Sequence, residues 1–134
     1  MKKIILSLFL AFSLSGCIAL AGISALLPSA WDVNQSAAIT DIQQKSKRIN
    51  CKNEVTVLKK HLDSLDERVE WLIIYSESKK TDDIFNMANV YNQTLKDMIK
   101  RVETKSISNS YCENKKTILI EQSYIISKAL QGRN

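Results

Sequence analysis

Between Ser29 and Gln131 the chain contains neither glycine nor proline; its three glycines stand at 16, 22 and 132, and its one proline at 28. Strand-rich domains use both residues in tight turns, whereas either one weakens a helix interior. This depletion argues against a β-rich fold and for an all-α one. Histidine occurs once, at 61, within a run of charged residues. It reads as a solvated or partly packed side chain rather than a catalytic base. No glycine-rich phosphate loop is present, and His61 has no ligand-like spacing to any cysteine. The sequence therefore points to no catalytic residue, metal, cofactor or small-molecule substrate. The excess of basic over acidic residues is also small: 17 against 14 once Lys2 and Lys3 are set aside from the 19 cations. Nucleic-acid binding would call for a basic stripe with aromatic partners, so no nucleic acid is expected as a partner.

What the N-terminus does have is an uncharged run over 4–27, following Lys2 and Lys3. Leu14-Ser15-Gly16-Cys17 has the form of a bacterial lipobox: a branched apolar residue, two small ones, then cysteine. Small side chains admit the peptidase, the Cys17 thiol carries a diacylglycerol, and two or three acyl chains give stable anchoring. On this reading residues 1–16 are a signal peptide, residues 17–36 are a lipidated N-terminus and tether, and residues 37–134 form a helical domain. Ile18, rather than aspartate, at the position after the cysteine points to the outer membrane, facing the periplasm. Two other readings stay open. Ala19-Leu20-Ala21 offers an ordinary cleavage site, and a run of this length suffices to span a bilayer, since about 20 residues are enough.

If Cys17 carries lipid, Cys51 and Cys112 are left as a pair. In an oxidising compartment such a pair forms a disulfide, worth about 3–4.5 kcal/mol by chain entropy; two buried free thiols are the alternative.

Beyond the tether, four helices are legible. The first begins after Asn34–Ser36 and runs to about Cys51, with Ala38, Ile42 and Ile49 near one face. The second has a seam of Val55, Leu58, Leu62, Leu65, Val69 and Leu72 in steps of three and four, with charges elsewhere. It closes on Trp71-Leu72-Ile73-Ile74-Tyr75, which is apolar all round, before a polar break at 76–80. The third starts at Thr81-Asp82-Asp83, where a hydroxyl and two carboxylates suit a helix N-terminus. Its seam is Ile84, Met87, Tyr91, Leu95, Met98 and Val102. After a polar link over 104–111, the fourth carries Ile118, Leu119, Ile120, Tyr124, Ile125, Ile126 and Leu130. The predicted fold is a small all-α four-helix bundle stapled by one disulfide.

The lipobox at Cys17, a short helical body, one cysteine near the end of the first helix and a second before the last, with Tyr91 and Leu95 ahead of it, together resemble the type II secretion system pilotin lipoproteins of the PulS/OutS family. The resemblance covers roughly residues 40–130; the apolar stretch 18–27 departs from the polar tether that family would have. It implies a lipoprotein chaperone that binds the C-terminal segment of a secretin as a helix in a groove and directs its targeting and assembly. Cys51–Cys112 would then hold the groove walls, and Trp71, Ile74, Tyr75, Phe85 and Tyr91 would line it. The bland reading makes those five residues core. An alternative from another class is a plasmid- or phage-encoded exclusion lipoprotein acting at the cell envelope.

Overall fold

The computed structural model describes residues 31–104 and 107–133. Cys17, the lipobox and the apolar run lie outside the described residues. Among the described residues four helices follow in order: α1 (Val33–Lys47), α2 (Val55–Ser78), α3 (Asp82–Thr104) and α4 (Asn109–Gln131). Among the described residues there is no strand, and no helix is long and apolar enough to cross a membrane.

Each helix packs on its neighbours in sequence, and α4 closes back on α1. The ties between them fix the directions. Gln35 at the start of α1 meets Ser76 at the end of α2; Lys59 and Lys96 of α2 and α3 pair with Glu103 and Glu70 in opposite order. Gln122 of α4 reaches Thr94 of α3, and Gln43 of α1 reaches the Ser123 carbonyl. Only an up-down-up-down antiparallel bundle satisfies all of these.

The core follows the predicted spacing most closely in α2, where Leu58, Leu62, Leu65, Val69 and Leu72 are all buried. In α3 the buried stripe is Ile84, Ala88, Tyr91, Leu95, Met98, Ile99 and Val102. Met87, expected on that seam, is half-buried, and Ala88 takes the inner position. In α4 the buried residues are Cys112, Leu119, Ser123, Ile126 and Leu130, which leaves Ile118 and Ile125 outside.

Tyr91, expected in a binding groove, is instead a core residue with no exposure. Its hydroxyl lies 2.6 Å from Ser46 Oγ, across the bundle on α1. Ser46 donates its own proton to the Ile42 carbonyl at 2.6 Å, so Tyr91 is the donor in the pair. Burial pushes the phenol pKa well up, against the smaller opposing effect of the Ser46 hydrogen bond.

Helix α1 begins within the 17–36 stretch expected to be a tether. Asp32 caps α1, its Oδ1 accepting from the Asn34 and Gln35 amides at 2.8 and 3.0 Å, so the helix starts at Val33. Gln35 is fully buried, its Nε2 donating to Ser76 Oγ and Thr81 Oγ1 at 3.1 and 2.6 Å. The polar break expected at 76–80 is likewise shorter, because Ser76 is a buried seam position four residues after Leu72. The turn into α3 closes with Lys80 N donating to the Glu77 carbonyl and Thr81 N to the Ser76 carbonyl, each at 3.0 Å. This is a Schellman ending, which places the residue after the cap in the left-handed region. No glycine is available there, and Lys80 adopts φ 56°.

At the other end of the bundle Cys51 and Cys112 form a disulfide with Cα atoms 5.7 Å apart, joining the α1–α2 link to the first turn of α4. His61 donates from Nε2 to the Lys45 carbonyl at 2.8 Å, a tie between α2 and α1.

Candidate protein-binding surface

The remaining residues expected to line a groove do not converge on one. Trp71 and Tyr75 stack along the surface of α2, centroids 4.7 Å apart and planes within 13°. Arg68 lies over the Trp71 ring at 4.8 Å and Lys79 over the Tyr75 ring at 5.4 Å. The spacing 68, 71, 75, 79 puts all four on one helical stripe, so the rings already have partners on both sides along the helix. Cation–π contacts at exposed sites contribute about 0.5–1 kcal/mol each.

The Tyr75 hydroxyl donates to Asp32 Oδ2 at 3.1 Å and accepts from Asn34 Nδ2 at 3.0 Å. Burial alone would raise the Asp32 carboxyl pKa, but hydrogen bonds from the Gln35 amide, Tyr75 and the Asn34 amide hold it below its ordinary value. Tyr75 thus braces the start of α1. Ile74 projects at 66 % exposure with no comparable partner, and Phe85 on α3 is half-buried.

The four seams between neighbouring helices differ in what fills them. Between α2 and α3, Lys59 bridges Asp63 and Glu103, and Lys96 bridges Asp66 and Glu70. Their carboxylate partners raise the pKa values of both lysines. Between α1 and α2 run the Asp41–Arg68 ion pair and the Lys45–Ser64 hydrogen bond, beneath a shallow polar hollow of about 280 Å³ that Trp71 borders. On the α4 side of α1, Lys47 covers the Tyr124 ring at 5.0 Å.

The α3–α4 seam is different over its first half. Met87 and Val90 of α3 face Ile125 of α4 around an open hollow of about 210 Å³, rimmed by Asn86 and Gln122. Val90 is 53 % and Ile125 57 % exposed. Helix α3 presents positions 87, 90 and 94 to this seam and α4 presents 118, 122 and 125, both at helical spacing. The hollow is bounded on one side by the Thr94–Gln122 hydrogen bond of 3.1 Å and on the other by the Arg133–Asp83 ion pair.

The sequence shows excess apolar residues around 84–91, but spacing puts Met87 on the core seam and gives Ile118 and Ile125 no separate place, so the α4 wall of this surface is missed. The available signal was a second apolar spacing, seven residues from Ile118 to Ile125, offset by one from the Leu119–Ile126 seam. Among the described residues no three of the His, Cys, Asp and Glu side chains gather as a metal site. No protein-family model, curated protein or solved structure matches the chain.

Proposed function

We propose that the chain is a pilotin-like envelope lipoprotein that captures a helical segment of a secretin, with Cys17 carrying the lipid and the α3–α4 hollow receiving the guest. One observation carries this reading: between its Thr94–Gln122 and Arg133–Asp83 ties, the α3–α4 seam leaves Met87, Val90 and Ile125 open. Such a strip suits an amphipathic helix laid into a groove between two others. The Cys51–Cys112 disulfide supports it by joining α4 to the α1–α2 link, so that one wall of the groove is held whether or not a guest is bound. Trp71 and Tyr75 have no part in the capture; their cation and hydrogen-bond partners already occupy them.

Titrating a 29–134 fragment with the C-terminal peptide of the cognate secretin tests the reading. Micromolar binding with a gain of helical circular dichroism, lost in Val90→Asp, is the expected result. Absence of binding at that concentration refutes it. Palmitate labelling of the full chain, lost in Cys17→Ser, checks the anchor separately.

A further inference from the structure

Beyond the apolar hollow the same α3–α4 seam changes character. Positions 97 and 101 of α3 continue the stripe of 87, 90 and 94, and positions 115 and 111 of α4 continue that of 125, 122 and 118. Here the seam opens into a larger hollow of about 410 Å³, lined by Lys100, Arg101, Lys115, Thr104, Tyr111 and Asp97. The Arg101 guanidinium lies 4.7 Å from the centre of the Tyr111 ring and Lys115 Nζ lies 5.9 Å from it, so one ring holds two cations. Asp97 is the carboxylate in this hollow; it approaches Lys115 only to 4.0 Å and is 73 % exposed, so it offsets little of the charge. At the far end of the seam, Asp83 is paired with Arg133 and adds no free charge. The groove is therefore apolar at one end and cationic at the other.

We infer that the α3–α4 groove reads direction: it takes an amphipathic helix whose C-terminal turn, bearing acidic side chains or the chain-terminal carboxylate, lies over Lys100, Arg101 and Lys115. The apolar face of the guest then covers Met87, Val90 and Ile125, and the guest runs parallel to α3. This rests on the proposed capture of a helix and adds its polarity. Two general facts make the C-terminal end the better fit. A helix carries a partial negative charge there, and a terminal segment adds a full carboxylate. The distance also suits a short guest. Fourteen residues separate Met87 from Arg101 along α3, about 21 Å at 1.5 Å per residue, so roughly four helical turns cover both ends.

Two synthetic 16-residue peptides of identical composition test this without presupposing a secretin. Both carry one leucine face. The forward peptide has two glutamates in its last turn and the reverse peptide has them in its first turn; both end in a C-terminal amide, so their net charge is equal. Glutamates in the first turn favour helix formation, so intrinsic helicity works against the expected result. The full chain, held in phosphatidylcholine nanodiscs with empty discs as blanks, is titrated with each labelled peptide by fluorescence anisotropy. The forward peptide binds about tenfold more tightly. The double variant Arg101→Gln, Lys115→Gln abolishes that preference, and Val90→Lys abolishes binding of both peptides; circular dichroism establishes that each variant is folded. Equal binding of the two peptides, a preference that survives the double variant, or no binding of either overturns the inference. So does charge-dependent attachment to phosphatidylglycerol vesicles without any peptide preference, which would assign the cations to a lipid surface. Forward binding together with failure of the secretin peptide overturns the pilotin reading and leaves the directional groove standing. Secretin binding without a forward preference does the opposite.

Discussion

Removing one hydroxyl from the centre of the bundle should cost more than removing the group it binds, and removing both should cost less than the first alone. Tyr91 donates to Ser46 Oγ, and Ser46 donates onward to the Ile42 carbonyl. Ser46→Ala leaves the Tyr91 hydroxyl at zero exposure without an acceptor. A buried donor stranded in this way costs about 1–3 kcal/mol, offset by roughly 0.5 kcal/mol from alanine's better helix propensity. Tyr91→Phe removes the donor and leaves Ser46 still bonded to Ile42, so it costs only the net worth of one hydrogen bond, about 1 kcal/mol. With both changes no polar group is stranded, and the double variant should be more stable than Ser46→Ala by about 1 kcal/mol. Urea unfolding followed by circular dichroism, with the disulfide intact, resolves this. At an m-value near 1.5 kcal/mol/M the difference is about 0.7 M in midpoint.

The same phenol sets a pH dependence. Its folded pKa is raised above the unfolded value of 10.0, so its contribution is full below about pH 10 and falls as pH rises, because the unfolded chain loses the proton first. From pH 7 to 11 wild type should lose about 1.4 kcal/mol that Tyr91→Phe keeps. Additive single costs, or identical alkaline behaviour of wild type and Tyr91→Phe, would refute the buried relay.

Lys80→Gly should stabilise the bundle by roughly 0.5–1 kcal/mol, since it relieves a left-handed lysine costing about 1–2 kcal/mol and returns part of that as glycine entropy; Lys80→Ala, with the same backbone penalty, should leave the melting midpoint nearly unchanged. Asp32→Ala should cost about 1 kcal/mol through loss of the α1 cap. Because hydrogen bonds hold the folded Asp32 carboxyl below its ordinary value, its contribution is present above about pH 4 and disappears as pH falls further. Thermal melts from pH 7 to 2 should therefore bring wild type and Asp32→Ala together in acid. Cys51→Ser with Cys112→Ser opens a cross-link between residues 61 apart, for an expected loss of roughly 4 kcal/mol in the urea midpoint assay.

Helix number, order and the second seam were legible because leucines and valines at three- and four-residue steps admit no competing period. Boundaries were less so wherever a polar side chain did an apolar one's job. Ser76 reads as a break, yet it is buried because Gln35 donates to its hydroxyl. Asp32 reads as tether, although Asp32-x-x-Gln35 has the spacing of a capping box. In the fold Gln35 turns inward to Ser76 and Thr81 rather than back to the cap, so only half of that motif operates. Tyr91 could be assigned to core or groove on apolarity alone; the partner that decides it, Ser46, lies 45 residues away.

The proposed binding surface is obscured for a related reason. Aromatic mass concentrated at 71–75 draws attention as excess apolar surface, but exposure alone does not measure what is left unpartnered. Trp71 is 38 % exposed and has Arg68 and Tyr75 on it; Tyr75 has Lys79 over its ring and Asp32 at its hydroxyl. A guest helix lying there would have to displace contacts the chain already makes, so its net gain would be small. Val90 and Ile125 are plainer side chains, yet they face a hollow bounded by polar ties and a guest would displace only water. At about 25 cal/mol per Å² of apolar surface covered, affinity accrues where contacts are added rather than exchanged. That asymmetry favours the α3–α4 seam over the more aromatic face of α2. It also explains why a charge at Val90 should abolish capture, while the same charge at Ile74, exposed on α2, should leave it intact.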